Sequence, residues 1–175
     1  MTLTSTLKRG VVVVTGIALV TVGYLVSSPQ ASALTALDDI QTGDLFRGES
    51  LSAVYYMGED GFRYVFPTDK IFFSWYDNFN DVKFISDSDL TKLQIGGNVT
   101  YKPGSWMVKI TSKPETYAVD HNGELRHVTS ETLARDLYGT NWNQKVHDIA
   151  DGFFTNYSIG DAINGAADYD LERVA

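Results

Sequence analysis

The sequence predicts an α+β protein built from two pseudo-symmetric repeats, each a small antiparallel β-meander or hairpin followed by one or two short helices, packed as one domain. Three observations predict it. Apolar and turn positions recur after about 62 residues, two Gly-containing hairpin signals sit at equivalent places, and each is followed by a hydroxyl residue heading a helical pattern. The recurrence pairs Leu45 with Met107, Phe46 with Val108, Tyr55 with Tyr117 and Gly61 with Gly123. The spacing then drifts to 63 for Arg63 with Arg126, Val65 with Val128 and Trp75 with Tyr138. It reaches 64 for Val82 with Val146, Ile85 with Ile149, Ile95 with Ile159 and Gly96 with Gly160. Spacing recurs more faithfully than residue type, so architecture is what repeats.

Residues 1–33 read as an export signal, to be set aside from the fold. Lys8 and Arg9 precede an apolar run of 16 residues, Val11 to Val26, and Ala31-Ser32-Ala33 supplies a small-x-small cleavage pattern. The alternative, an uncleaved anchor, is disfavoured because such a run falls short of the ~20 apolar residues of a spanning helix. Cleavage takes the 175-residue chain to 142 residues and its formal charge from −8 to −10, enough chain for one domain. No membrane contact is expected after cleavage. Residues 34–43 read as a loosely held linker, 44–102 as repeat 1, 103–164 as repeat 2 and 165–175 as a loosely held tail.

Within repeat 1, Asp44 to Arg47 is the opening strand, and Asp60-Gly61 turns the hairpin because Gly accepts positive φ without a steric penalty. Thr68 caps a helix over DKIFFSWY, DVKFIS is extended or a single turn, and Ser86 or Asp87 caps the turn leading to Leu90. Pro103-Gly104 makes a turn joining Val99–Lys102 to Trp106–Ile110 as a hairpin between the copies. In repeat 2, Trp106 to Ile110 is the opening strand and Asn122-Gly123 turns the hairpin. An extra residue before Arg126 calls for a bulge at Gly123 to keep the return strand on its face. Thr129 or Ser130 caps ETLARDLY, Gly139 stops it, and Trp142, Val146, Ile149, Ala150 and Phe153 form a helical stripe.

Composition narrows the function classes. No cysteine is present, which excludes disulfides, thiolate catalysis, cysteine zinc sites and a lipidated cysteine anchor. The acidic balance makes nucleic acid an unexpected partner, since phosphate binding needs clustered Lys and Arg. His121, His127 and His147 show no metal-ligand spacing, and no Gly-x-Ser-x-Gly elbow occurs. Asp87-Ser88-Asp89 and Asp120 to Glu124 offer oxygen ligands, yet neither extends to a calcium loop. Capping and turn roles account for both, so no metal or cofactor is expected. The Asn98 and Asn156 sequons are read as chance matches.

Aromatic side chains are the one feature suited to binding, because flat faces stack on sugar rings. Trp75, Trp106 and Trp142 align mostly with apolar partners, as core residues do. Tyr56 is singled out as the ligand-binding candidate, since it alternates away from Tyr55 and Met57 and faces small Ala118 in the alignment.

The run Asp44-Leu45-Phe46-Arg47, Val54-Tyr55-Tyr56, Gly61 and Arg63-Tyr64-Val65 resembles an uncharacterised repeat of bacterial secreted and cell-surface proteins. That repeat is found in candidate-phyla surface proteins and as an accessory module of extracellular hydrolases. The likeness spans nearly the whole chain after the signal. Repeat 2 is the looser match, with Thr116 and Ala118 in place of the flanking Val and Tyr. The resemblance implies a surface location and an accessory, adhesive role, with no site residues carried over.

The expectation is therefore an exported, non-catalytic cell-surface or envelope-associated binding module for a glycan, an envelope polymer or a surface protein. One rival is a small secreted hydrolase acting on a cell-envelope polymer. Another is a self-assembling structural surface subunit.

Overall fold

The computed structural model describes residues 33–175. The expected export signal, apart from its last residue, lies outside them. The elements in chain order are β1 (Leu45–Gly48), β2 (Tyr55–Met57), β3 (Arg63–Val65), α1 (Asp69–Trp75), β4 (Lys83–Ile85), α2 (Asp87–Leu90) and β5 (Ile95–Asn98), followed by β6 (Met107–Ile110), β7 (Thr116–Asp120), β8 (Glu124–His127), α3 (Glu131–Tyr138), β9 (Val146–Ile149), α4 (Asp151–Phe154), β10 (Ser158–Ile159) and α5 (Leu171–Val174).

The repeat is real and its topology is the same in both copies. Repeat 1 forms a five-stranded mixed sheet in the order β4-β1-β2-β3-β5, and repeat 2 forms the equivalent sheet β9-β6-β7-β8-β10. In each, three consecutive strands form an antiparallel meander, and the two later strands add in parallel at opposite edges.

Local chemistry explains the helix starts. The Thr68 side chain accepts from Ile71 N–H and the Ser130 side chain from Leu133 N–H, while Ser86 does the same for Asp89 ahead of α2. Gly139, at φ 88, takes the left-handed position that ends α3.

The expected bulge at Gly123 is absent. The β7–β8 ladder runs unbroken from Tyr117–His127 to Asp120–Glu124, because Asn122 and Gly123 both adopt positive φ, 57 and 71, and close a tight loop by themselves. Tyr55 pairs with Val65 as Tyr117 pairs with His127, so the spacing stays at 62 through the hairpin. The two caps keep that spacing too. Arg63 therefore corresponds to Leu125 and Trp75 to Leu137, not to Arg126 and Tyr138. Both added residues fall together between helix and return strand, after which Lys83 and His147 occupy equivalent places beside β1 and β6.

Three further expectations are corrected. The stripe from Trp142 to Phe153 is not a helix: it is a 3-10 turn over Trp142–Lys145, the strand β9 and the short α4. Val146 and Ile149 would share a helix face but point to opposite faces of a strand. Val146 packs toward Met107 and Leu133, whereas Ile149 packs toward Val108 and Ile71. Secondly, Pro103-Gly104 does turn, with Gly104 at φ 71, but residues 99–102 form no strand against β6. Thirdly, neither terminal segment is loose. Ile40 is buried against Phe46 and Leu90, and Tyr169 and Val174 are 2% and 4% exposed.

The layers follow from which face each residue takes. Leu45, Val54 and Phe66 bury the inner face of the first sheet against Ile71 and Phe72 of α1, and the same cluster continues into Val108, Val119, Leu125 and Ile149 of the second sheet. Helix α1 thus lies between the sheets. The outer face of the first sheet, where Phe46, Met57 and Ile85 stand in for Val108, Val119 and Ile149, packs instead on Ile40 and Leu90. On the far side, α3 covers the second sheet together with Ile163, Tyr169 and Val174. The repeats stack head to tail, and the terminal segments cap the two ends as in short solenoids.

Candidate functional site

Tyr56 lies on β2, half-buried, on the face turned toward α1. With Phe66, Trp75, Tyr76 and Val99 it lines a hollow of about 310 Å³ that carries no charged side chain. Tyr56 sits opposite Tyr64 in the ladder, and period two then puts Phe66 on the same face. Trp75 and Tyr76 arrive from the end of α1, whose seven residues bring them back over the sheet edge. Val99 follows β5 and is fixed by its N–H donating to Val65 O at 2.9 Å.

The hollow is held rigid by its polar handles. Trp75 is 41% exposed, yet its indole Nε1–H donates to Thr100 O at 2.8 Å, which sets the ring plane. Ser74 Oγ accepts from Lys102 N–H at 3.0 Å, tying the helix end to the connector. Tyr76 stands edge-on to Phe66 at 6.0 Å. Burial, then the neighbouring Tyr56, pushes the Tyr76 phenol up, so its hydroxyl stays protonated at neutral pH. A concave, aromatic, uncharged surface has the chemistry to stack on flat, neutral ligands.

The contrast between Tyr56 and Ala118, which singled Tyr56 out, has a packing cause. Ala118 is fully buried in the cluster that holds Tyr169 of the C-terminal segment. The Tyr169 hydroxyl donates to Val119 O at 2.5 Å, and the Arg126 guanidinium lies 5.8 Å from its ring centre. Repeat 2 needs no large side chain at position 118, because its own tail brings a ring to that face. The hollow's counterpart in repeat 2 is accordingly filled, with Ile163 in the place of Val99 and Tyr138 in that of Tyr76.

The other sequence candidates do not join this site. Trp106 stacks on His147 at 4.0 Å and 15°, and Trp142 sits beside α3. His147 lies on β9, not on a helix. Its Nδ1 is 3.0 Å from the Tyr101 hydroxyl. The two groups share one hydrogen bond, and burial holds the Tyr101 phenol far above its usual range. His121 is exposed in the β7–β8 loop against Asp120, and His127 is on β8 near Tyr117.

The oxygen-rich stretches are occupied by structural bonds. Asp87 accepts from the Ser50 N–H and hydroxyl, and Asp89 pairs with Lys92 at 2.7 Å. Burial would raise Asp120, but hydrogen bonds from His121 and Arg126 hold it below the usual carboxylate range. Among the described residues no group of three or more His, Asp and Glu is placed to hold a metal ion. No described helix is long and apolar enough to cross a membrane.

Sequence reasoning singled out Tyr56 and weighed Trp75 but did not point to Phe66, Tyr76 and Val99, which line the same hollow. Period-two alternation from Tyr64 was the available signal for Phe66. Nothing local points to Val99, which reaches the site through its pairing with β3. Comparison with protein-family models, with curated proteins and with solved structures finds no match.

Proposed function

We propose that this chain is an exported, non-catalytic binding module of a bacterial cell surface, and that the hollow of Tyr56, Trp75 and Tyr76 receives a sugar ring of an envelope polymer. The single observation that carries the reading is the hollow itself, four aromatic rings and Val99 with no charge, one of the rings being the exposed Trp75 indole whose plane is fixed by Thr100. The apolar face of a pyranose stacks on such a ring, while its hydroxyls meet Tyr56 and Tyr76.

The test is retention of the purified chain on insoluble peptidoglycan and on immobilised neutral glycans. The parent is retained, and Tyr56→Ala and Trp75→Ala each reduce the fraction bound by about tenfold, consistent with loss of one aromatic contact and its hydrogen bond. Retention on no polymer, or equal retention of both variants, removes this reading.

A further inference from the structure

The last strand of each repeat, β5 or β10, is an edge of its sheet, and the two edges lie on the same side of the stack. Asn98, at the end of β5, ties them together: its Nδ2 donates at 3.1 Å to Oδ1 of Asn156, two residues before β10. Beyond the ladders with β3 and β8, the backbone of Ile95, Gly96 and Gly97 and of Ser158 and Ile159 has no hydrogen-bond partner among the described residues. A row of unpaired backbone groups is a template for another strand.

The opposite edges are guarded. Lys83 in β4 pairs with Asp44, and the Thr35 N–H donates to Phe84 O at 2.6 Å, so the N-terminal segment covers that edge. β9 carries His147 and Asp148, the latter paired with Lys109. By contrast, β5 and β10 contain no charged residue and no proline, the usual guards of an open edge. Each presents an isoleucine instead, Ile95 at 55% and Ile159 at 60% exposed, the two highest values among the large apolar side chains of the described residues. Strand preference alone does not ask for isoleucine, since threonine is also favoured in strands and bares less apolar surface.

Ile95-Gly96 and Ile159-Gly160 are the same dipeptide at equivalent places, in a repeat that elsewhere keeps spacing better than residue type. The glycines have an internal cause. A Cβ at Gly96 would stand 2.6 Å from the Tyr64 ring, and one at Gly160 would overlap the Glu124 carboxylate. The isoleucines, more than half exposed, have no such cause. We propose that β5 and β10 form a self-association surface, on which a second copy of this chain docks edge to edge about a two-fold axis. An axis along the stacking direction sets each strand antiparallel to its own counterpart, β5 to β5 and β10 to β10, and extends each five-stranded sheet to ten. A second copy suits the surface better than a single foreign peptide, because the chain offers two edges at a fixed separation and a partner with the same pair fills both. The uncharged strands also let two chains of net charge −8 meet without like charges opposed in the pairing strands.

The test is sedimentation equilibrium of the purified chain across a wide range of concentration. The parent reaches twice the monomer mass, and Ile95→Lys and Ile159→Lys each weaken the dimer by about tenfold, because each places a charge on a pairing edge. Both positions are exposed, so the variants keep the parent's urea midpoint. Phe73→Lys, at another exposed apolar side chain, leaves the dimer unchanged. Neither isoleucine lines the Tyr56 hollow, so self-association and glycan retention fail separately. If a lysine variant is unstable, hydrogen exchange of the parent decides the matter: exchange at residues 95–98 slows as concentration rises, and an unchanged rate overturns the proposal. A monomer at every concentration, which would leave the edges to an extended peptide of another protein, overturns it as well. So does a dimer indifferent to both lysine variants, or one weakened as much by Phe73→Lys.

Discussion

Tyr169 gives the sharpest test of how the stack is closed. Its ring is 2% exposed among Ala118, Val128 and Ile163, and its hydroxyl donates to Val119 O, which also accepts from Gly104 N–H at 3.0 Å. Burial pushes its phenol up to about 12, so it remains a donor over the whole working range of pH. Truncating a buried aromatic to Ala costs about 3–5 kcal/mol, because Ala118 and Met107 cannot collapse far enough to refill the space. Removing only the hydroxyl costs about 1 kcal/mol. Against a total of about 5–15 kcal/mol for a domain, the first change is severe and the second mild. Urea unfolding followed by far-UV circular dichroism measures both. The midpoint falls steeply for Tyr169→Ala and slightly for Tyr169→Phe. A Tyr169→Ala loss under about 1 kcal/mol would mean that the tail is not a cap, and the reading of the stack would be wrong.

His147 predicts an acid-side loss of stability. Burial, then the nearby Lys70, lowers its pKa from 6.5, and its Nδ1 shares a hydrogen bond with the Tyr101 hydroxyl. The unfolded chain takes up the proton first as pH falls below 6.5, so the imidazole's contribution is present above that value and is lost toward the lower folded pKa. Chemical denaturation at pH 7.5 and 5.5 should show a smaller drop for His147→Gln than for the parent, and an equal drop refutes the assignment. The equivalent caps predict equivalent costs. Thr68→Ala and Ser130→Ala should each destabilise by about 1 kcal/mol, measured as a shift in the urea midpoint, and a neutral result at either would deny its capping bond.

Much of the architecture was legible because its signals are local. A hairpin needs only residues that accept positive φ, and Gly61, Asn122 and Gly123 take it. A helix start needs one hydroxyl, and Thr68, Ser86 and Ser130 supply it. The period survived substitution because each copy must bury the same faces.

Tertiary structure decided the rest, where one pattern serves two geometries or a distant segment intervenes. Residues 142 to 153 satisfy helical spacing, yet the β6 edge captures Val146–Ile149 as a strand and sends Val146 and Ile149 to different cores. The tail AADYDLERVA is short and polar enough to read as loose, and only the space above Ala118 makes Tyr169 a core residue. The aromatic hollow likewise gathers β2, the end of α1 and the segment after β5, whose meeting depends on parallel strand pairing across some thirty residues of chain, from Arg63 to Ile95. Dihedral preference and capping act between near neighbours and so are written in the sequence; burial acts between whichever surfaces the chain brings together.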